Sequence, residues 1–217
     1  MSKLSFIHRF EQSARRDLAP LLLLHGTGGD ENDLIPLGRM VAPDRTLLSV
    51  RGQVLEGGAP RFFRRLAEGV FDEVDVVRRA HQLADFVDAA GKEYGIAEPI
   101  ALGYSNGANI AAAMLMLRPQ TLGAGILLRA MAPLAKPPQA DLAGKSILLL
   151  SGAHDPIVPP DCSEGLADTL SLSGARVDRR VMPLGHQLSP LDVKLSRQWL
   201  LEQTVREGPS ANEATHA

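Results

Sequence analysis

The sequence is poor in cysteine and has no long apolar run, and each shortage excludes a class of protein. Cys162 is the only cysteine in 217 residues, which excludes an intramolecular disulfide and a cysteine-based metal cluster. The longest apolar runs, such as Leu21–Leu24 and Ile147–Leu150, are too short to cross a bilayer. Residues 1–10 lack the apolar core of a signal peptide. We therefore expect a cytoplasmic protein without integral membrane association.

An excess of charge of either sign is also missing. The chain has 23 Lys and Arg residues against 25 Asp and Glu residues, a formal net charge of -2 at pH 7. This balance gives no reason to expect a nucleic-acid partner. A chain of this length predicts one domain, over residues 1–206, and the small polar residues of 207–217 predict a disordered tail. Cys162 has no companion motif, so we interpret it as a small helix-start residue rather than a nucleophile.

Short apolar runs bounded by glycine, proline or charge recur along the chain and predict strands. The clearest are Pro20–Leu24, Thr46–Val50, Pro99–Leu102, Gly125–Leu128 and Ser146–Leu150. Because these runs do not alternate with polar residues, we expect them to be buried on both faces of a parallel sheet. Phe6–Phe10 and Arg176–Met182 alternate better and predict outer strands.

Helix-like stretches lie between the predicted strands. They are Glu31–Val41, Val70–Tyr94, Asn106–Leu117, Pro160–Ser171 and Pro190–Thr204. Strands and helices that alternate in this way predict an α/β fold with a mostly parallel central sheet and helices on both of its faces. No long insertion interrupts the pattern, so we expect no separate lid domain.

The glycine-rich segment Arg51–Gly69 is predicted to be irregular, yet it carries bulky side chains. Phe62 and Phe63 are candidates for the wall of a substrate pocket, because binding residues are often carried on loops. The alternative is that both phenylalanines anchor this loop to the core.

Gly103-Tyr104-Ser105-Asn106-Gly107 joins a predicted strand to a predicted helix and fits the pattern Gly-x-Ser-x-Gly. In a nucleophile elbow the sharp turn lifts the serine off the sheet, and the flanking glycines let strand and helix approach closely. The N–H groups that begin the helix would stabilise developing negative charge near Ser105. We therefore interpret Ser105 as a nucleophile; the alternative is an N-cap serine.

A second glycine-rich turn, His25–Asp30, follows the strand at Leu21–Leu24. In an acyl-transfer site such a loop can donate a backbone N–H to an oxyanion, and Thr27 is best placed to do so. A phosphate-binding loop is disfavoured, because the Lys-Ser/Thr ending of that motif is absent. We interpret His25 as a structural residue of the loop.

An acid and a base are expected on loops after later strands, because ligands bind at the carboxyl edge of such a sheet. Asp155 follows the strand at Ser146–Leu150, and His186 follows the last predicted strand. The order Ser105, Asp155, His186 is typical of α/β-hydrolase triads. His154 is the rival base, although its loop lies one strand too early.

Arg129 ends another predicted strand at the same edge of the sheet. Two roles are open for it: a contact to the substrate, or a structural ion pair with a carboxylate.

On these motifs the chain resembles the phospholipase/carboxylesterase family of small α/β-hydrolases, relatives of the acyl-protein thioesterases. It is most similar to the bacterial carboxylesterase branch associated with quinone stress. The resemblance covers about Pro20–Leu201 and rests on His25–Glu31, Gly103–Gly107, Gly152–Pro159 and Gly185-His186. It implies an α/β-hydrolase fold that needs no cofactor and no metal.

The resemblance also implies roles for individual residues. The nucleophile, acid and base of the family fall on Ser105, Asp155 and His186, and its oxyanion donors fall on the backbone N–H groups of Thr27 and Asn106. The chain departs from acyl-protein thioesterases at Asn106, where they have Gln, and at Ala59–Arg65, where they have a Trp-Phe-Asp type of segment. A backbone donor is insensitive to its side chain, so these departures concern a lipidated-protein substrate rather than catalysis.

The predicted function is that of a serine carboxylesterase for short- to medium-chain esters, with thioesters as a further class to be tested. Without a lid, the pocket is expected to be shallow and open. One alternative is a hydrolase of lactones or aromatic degradation products; the cysteine nucleophile of dienelactone-type hydrolases argues against that subtype. The other is a non-catalytic binding protein. The expected partner is a small-molecule ester, and a homodimer is also considered.

Overall fold

A seven-stranded sheet runs through residues 4–206, the part of the chain that the computed structural model describes. The strands in chain order are β1 (His8–Glu11), β2 (Leu21–Leu24), β3 (Leu47–Val50), β4 (Val54–Glu56), β5 (Ala59–Arg61), β6 (Arg65–Ala67), β7 (Val70–Phe71), β8 (Ile100–Tyr104), β9 (Ala124–Leu128), β10 (Ser146–Gly152) and β11 (Arg176–Met182). The helices are α1 (Ile35–Val41), α2 (Glu73–Tyr94), α3 (Asn106–Leu117), α4 (Pro160–Leu172) and α5 (Pro190–Arg206). The predicted tail at 207–217 lies outside the described residues.

The order of strands in the sheet is β1-β3-β2-β8-β9-β10-β11. Strands β2, β3, β8, β9, β10 and β11 run parallel, and β1 pairs antiparallel with β3 at one edge. Parallel pairing directs the carboxyl ends of β2, β8, β10 and β11 to one edge, where the residues that follow these strands meet. The predicted α/β-hydrolase fold is confirmed.

The central strands are apolar throughout because both of their faces are covered. In β2, Leu22 and Leu24 pack into one core cluster, whereas Leu21 and Leu23 pack into the other. Strand β10 divides its side chains in the same way. The first cluster holds residues of α2, α3 and α4, and the second holds residues of α1 and α5. The helices therefore lie on both faces of the sheet, as the sequence predicts.

Two helices begin later than the sequence predicts, for local reasons. Before α1, the Asp30 side chain accepts the Asn32 N–H at 2.8 Å, which closes a turn where a helix was expected. Helix α2 begins only after Asp72, whose side chain accepts the Asp75 N–H at 3.1 Å and caps the helix. The preceding Val70–Phe71 forms β7 instead.

The segment predicted to be irregular contains two short hairpins. Strands β4 and β5 pair antiparallel, and so do β6 and β7. These hairpins lie between β3 and α2 in the chain. They cover part of the sheet edge at which the carboxyl ends of the strands meet. No helix within residues 4–206 combines the length and apolar character of a bilayer-spanning segment.

Candidate active site

Ser105 occupies a strained turn between β8 and α3. Its backbone has φ 52° and ψ -113°, a region that residues other than glycine rarely adopt. The turn is possible because strand and helix approach without intervening side chains. A Cβ atom on Gly103 would lie 2.6 Å from the Gly107 oxygen, and one on Gly107 would overlap the Leu24 carbonyl. The half-buried Ser105 side chain is thereby presented at the edge of the sheet.

Three predicted site residues meet at this edge. The Nε2 atom of His186 lies 3.0 Å from the Ser105 Oγ, and its Nδ1 atom lies 2.8 Å from Asp155 Oδ2. If Nδ1 carries the proton and donates to the carboxylate, Nε2 is left as an acceptor for the serine hydroxyl. The arrangement can therefore draw the proton from Ser105 toward the imidazole.

The carboxylate of Asp155 is held from its other side by the turn that follows β10. Its Oδ1 atom accepts the N–H groups of Ile157 at 2.8 Å and Val158 at 2.9 Å. These bonds satisfy an oxygen that is buried from water and aim the second oxygen at His186. His154, the rival base, has an exposed side chain, and among the described residues its hydrogen bond is the one from its backbone N–H to the Leu184 oxygen.

Thr27 and Asn106 both line the cavity at Ser105. Two residues between β4 and β7 hold their side chains: Arg61 donates to Thr27 Oγ1 at 2.6 Å, and the Phe62 N–H donates to Asn106 Oδ1 at 2.7 Å. Within the described part of the chain, neither backbone N–H donates to a protein acceptor. Both groups are therefore free to bind an oxyanion.

His25 braces the loop that carries Thr27. The Gly52 N–H donates to its Nε2 atom at 3.0 Å, so Nδ1 carries the proton and donates to the Gly26 oxygen at 2.6 Å. The first bond requires the neutral ring, because a protonated Nε2 atom cannot accept, and burial lowers the pKa of His25. This geometry agrees with the structural role predicted for His25.

A cavity of about 350 Å³ opens at Ser105. Its apolar lining comes from four side chains on three segments of the chain: Phe71, Met131, Ile157 and Val158. Two arginines of the hairpin segment, Arg61 and Arg65, also line it. The sequence-based reasoning counted Arg65 among the bulky residues of this loop but assigned neither arginine to the site, although Arg61 directly precedes Phe62.

The expectation that Phe62 and Phe63 form a pocket wall is corrected by their burial. Phe62 is 3% exposed, Phe63 is 0% exposed, and both belong to the core under the sheet. The Phe62 ring packs 4.8 Å from that of His25, and the Phe63 ring meets Phe71 edge-on at 5.0 Å. They anchor the hairpins, because burying two large rings stabilises the loop that carries them.

Arg129 is likewise not a substrate contact. Its side chain is 0% exposed and forms a bidentate ion pair with the equally buried Asp192, at 2.7 and 3.0 Å. Its Nε atom donates to the Gly185 oxygen at 2.9 Å and its Nη2 atom to the Gln187 oxygen at 3.1 Å. Arg129 thus holds the backbone on both sides of His186. The structural ion pair, which the sequence left open, is the arrangement observed.

Tyr104 is a further residue of the site that the sequence-based reasoning did not select. Its hydroxyl donates to the His186 carbonyl oxygen at 3.1 Å, and its ring lies 5.5 Å from the imidazole. Burial raises the pKa of the phenol, so it remains a donor at neutral pH. Its place beside Ser105 in the elbow motif was the available signal. Residues 4–206 contain no cluster of His, Cys, Asp and Glu that could hold a metal ion.

Known proteins similar to this chain include hydrolases and a carboxylesterase. The inferred hydrolase MhqD of Bacillus subtilis (strain 168) is 46% identical over 187 residues, which cover 85% of this chain and 94% of that protein. The crystal structure of the Bacillus cereus carboxylesterase is 43% identical, with a TM-score of 0.90 over 93% of this chain and 96% of that one.

YahD, solved with malic acid, is 33% identical, with a TM-score of 0.86 over 91% of this chain and 98% of that one. Comparison with protein-family models finds no match. The similarities extend over nearly the full length of each relative, so they concern the whole fold and not a single motif.

Proposed function

Because the chain belongs to the phospholipase/carboxylesterase family and is a hydrolase acting on esters, we propose that it cleaves short- to medium-chain carboxylic esters through an acyl-enzyme on Ser105. The observation that carries the proposal is the hydrogen-bonded series from Asp155 to His186, at 2.8 Å, and from His186 to Ser105, at 3.0 Å. This series supplies a nucleophile, a base and an acid that orients the base.

In the first step, the Ser105 Oγ attacks the ester carbonyl carbon while His186 Nε2 takes the hydroxyl proton. Asp155 keeps the imidazole in the tautomer that can accept this proton, and stabilises the imidazolium that forms. The tetrahedral intermediate then collapses: the bond to the alcohol oxygen breaks, and His186 returns the proton to that oxygen. An alcohol leaves, and the acyl group remains on Ser105.

In the second step, water attacks the acyl-enzyme as His186 takes one of its protons. The second tetrahedral intermediate expels the Ser105 oxygen, which regains a proton from His186, and a carboxylic acid is released. The backbone N–H groups of Thr27 and Asn106 are placed to bind the oxyanion in both steps, where each donor contributes about 3 kcal/mol.

The dimensions of the cavity support small substrates. Its volume of about 350 Å³ is at the low end for a ligand pocket, and the short β4–β5 and β6–β7 hairpins form its cover. The similarity to YahD, which was solved with malic acid, agrees with a small and polar ligand. A cavity of this volume is too small to enclose a long-chain triglyceride.

The test is a kinetic and mass-spectrometric comparison of variants. Wild-type protein exposed briefly to p-nitrophenyl acetate and butyrate should carry an acyl adduct on Ser105, and Ser105→Ala should carry none. Ser171→Ala, at an exposed position of α4, controls for loss of a serine hydroxyl. His186→Asn should abolish turnover, whereas His154→Asn should retain it. Adduct formation by Ser105→Ala would refute the acyl-enzyme, and the highest kcat/KM on long chains would refute the substrate range.

The alternatives make distinct predictions in the same assays. A hydrolase of lactones or aromatic degradation products would turn over ring esters faster than open-chain esters of equal size. A non-catalytic binding protein would leave Ser105 unreactive toward a fluorophosphonate probe. The complete hydrogen-bonded series favours a hydrolase over a binding protein, and the comparison of ring esters with open-chain esters decides between the two hydrolase classes.

The homodimer and the cytoplasmic location stay predictions. Light scattering on the purified protein measures the first, and fractionation of cells that express the chain measures the second.

A further inference from the structure

Two cations line the cavity at Ser105, and the hydrolysis of a neutral ester does not need them. Arg61 ends β5 and Arg65 begins β6, so the two arginines flank the short connection between the two hairpins. In the proposed mechanism His186 takes the proton of Ser105, and backbone N–H groups stabilise the oxyanion. A reason for the two guanidinium groups must therefore be sought elsewhere in the substrate.

Arg61 is buried without a carboxylate of its own. Its side chain is 3% exposed, and its hydrogen bonds go to neutral oxygens, Thr27 Oγ1 at 2.6 Å and the Phe63 carbonyl at 3.2 Å. Its Nε atom lies 3.4 Å from Glu56, a weak contact. Burial lowers the pKa of Arg61, yet a guanidinium remains protonated in proteins. Its guanidinium carbon also lies 5.8 Å from the centre of the Phe63 ring, so what this buried cation lacks is a close carboxylate, which a ligand can supply.

Glu56 is already engaged by the other arginine. Arg65 Nε lies 2.9 and 3.2 Å from the two Glu56 oxygens, and Arg65 Nη2 lies 2.7 Å from one of them. Two positive charges therefore share one carboxylate in the wall of the cavity. Glu68 also lines the cavity, but it is exposed to solvent and, among the described residues, pairs with neither arginine. Among the described residues that line the cavity, two guanidinium groups thus stand against one carboxylate, that of Glu68.

We propose that Arg61 and Arg65 bind a carboxylate of the substrate, so that the ester this protein hydrolyses is anionic, of the kind formed when one acid group of a small dicarboxylic acid is esterified. The inference rests on the serine-esterase function proposed above. Guanidinium groups suit this task because their planar forks match a carboxylate in geometry and charge. A cavity of about 350 Å³ has room for such a molecule beside Ser105.

A structural role is open to both arginines, since Arg65 of β6 pairs with Glu56 of β4 and so links the two hairpins. Arg61 holds Thr27 and could be retained to position the oxyanion loop. Arg65 makes no contact with Thr27, and its side chain is 32% exposed, so the fold does not need it to fill space. The two roles differ in what they predict for Arg65. Replacing a structural residue lowers the hydrolysis of all esters equally, whereas replacing a carboxylate-binding residue lowers the hydrolysis of anionic esters selectively.

The experiment compares two substrates of matched shape. In p-nitrophenyl hydrogen glutarate the acyl chain ends in a carboxylate, and in p-nitrophenyl 5-methylhexanoate it ends in a neutral isopropyl group. After subtraction of spontaneous hydrolysis, wild-type kcat/KM should be about tenfold higher for the anionic ester. Arg65→Met should lower this ratio about tenfold, while Arg65→Lys retains part of it. Added salt should also lower the ratio.

Matched variants separate local from general charge effects. Arg39→Met removes an exposed arginine that is paired with Glu11, outside the cavity, and should leave the ratio unchanged. Glu56→Gln removes the shared carboxylate and should raise the ratio. Equal loss on both esters in Arg65→Met, or a wild-type ratio of one or less, would overturn the inference while leaving the esterase intact. If neither ester is hydrolysed and Ser105 gains no acyl adduct, the proposed function itself fails.

Discussion

Replacing Arg129 with methionine tests how the loop that carries His186 is held. The change removes a cation from a pair in which both side chains are 0% exposed. Asp192 would keep its bonds from the Ser189 N–H at 2.8 Å and hydroxyl at 2.9 Å, but its charge would be buried without a counterion. Breaking a buried pair in this way costs about 3 to 5 kcal/mol of the free energy of unfolding. Urea denaturation measures that loss.

The same substitution should reduce activity beyond its effect on stability. The carbonyls of Gly185 and Gln187 would lose the donors that hold the backbone on both sides of His186. A displacement of a catalytic group by about 1 Å can cost about a hundredfold in rate. We therefore expect kcat on p-nitrophenyl acetate to fall about tenfold to a hundredfold, measured at a temperature where the variant is folded.

The double variant Arg129→Met with Asp192→Asn separates the two effects. This variant leaves no charge buried at positions 129 and 192, and the amide oxygen at position 192 still accepts from Ser189. About 2 kcal/mol or more of the free energy of unfolding should therefore return. Its kcat should stay low, because the carbonyls beside His186 still lack their donor. Arg118→Met, which removes surface ion pairs with Asp85 and Asp88, should cost less than about 1 kcal/mol and leave kcat unchanged. Wild-type kcat in the folded single variant would refute the reasoning.

Three other predictions concern backbone strain, a close approach and pH. Ser105→Gly should be inactive but about 1 kcal/mol more stable to urea than Ser105→Ala, because only glycine adopts φ 52° without strain; equal stability would contradict this. Gly107→Ala should fail to fold or lose kcat, since its Cβ would overlap the Leu24 carbonyl; thermal melts and esterase assays measure both.

The pH prediction follows from the lowered pKa of His25. The unfolded chain binds a proton on this ring near its ordinary pKa of 6.5, whereas the folded protein resists protonation. Its contribution to stability is complete above that value and is lost as the pH falls toward the folded-state pKa. The free energy of unfolding should thus decrease below about pH 6.5, and His25→Asn should reduce this dependence. An unchanged slope in the variant would count against it.

Patterns of a few residues predicted the sheet and most of the helices. Strands such as β2 and β10 are apolar at every position, and only a strand covered on both faces has that composition. Helix α3 was predicted at its observed bounds, because the elbow glycines mark its start. The later start of α1 and α2 depended on side-chain bonds of Asp30 and Asp72, which compete with helix formation and have no periodic signature.

The candidate site was predictable as far as it depends on loops that follow strands. Ser105, Asp155 and His186 each follow a strand of the parallel sheet, so their convergence at one edge follows from topology. Their catalytic roles stay predictions until the variants are measured. For Phe62 and Phe63 the sequence left a pocket wall and a core anchor both open, because burial depends on distant packing partners that the local sequence does not specify.

The sequence by itself determined the fold class and the edge of the sheet at which the site lies, since these follow from periodicity and chain order, and its short motifs carried the resemblance to the family. Only the tertiary structure decided which arginines face the cavity and which one is buried. Arg129 pairs with Asp192, which lies far along the chain, while Arg61 and Arg65 are brought beside Ser105 by hairpins between β3 and α2. Such pairings join residues distant in sequence, and a charge acts through whichever groups the folded chain places next to it.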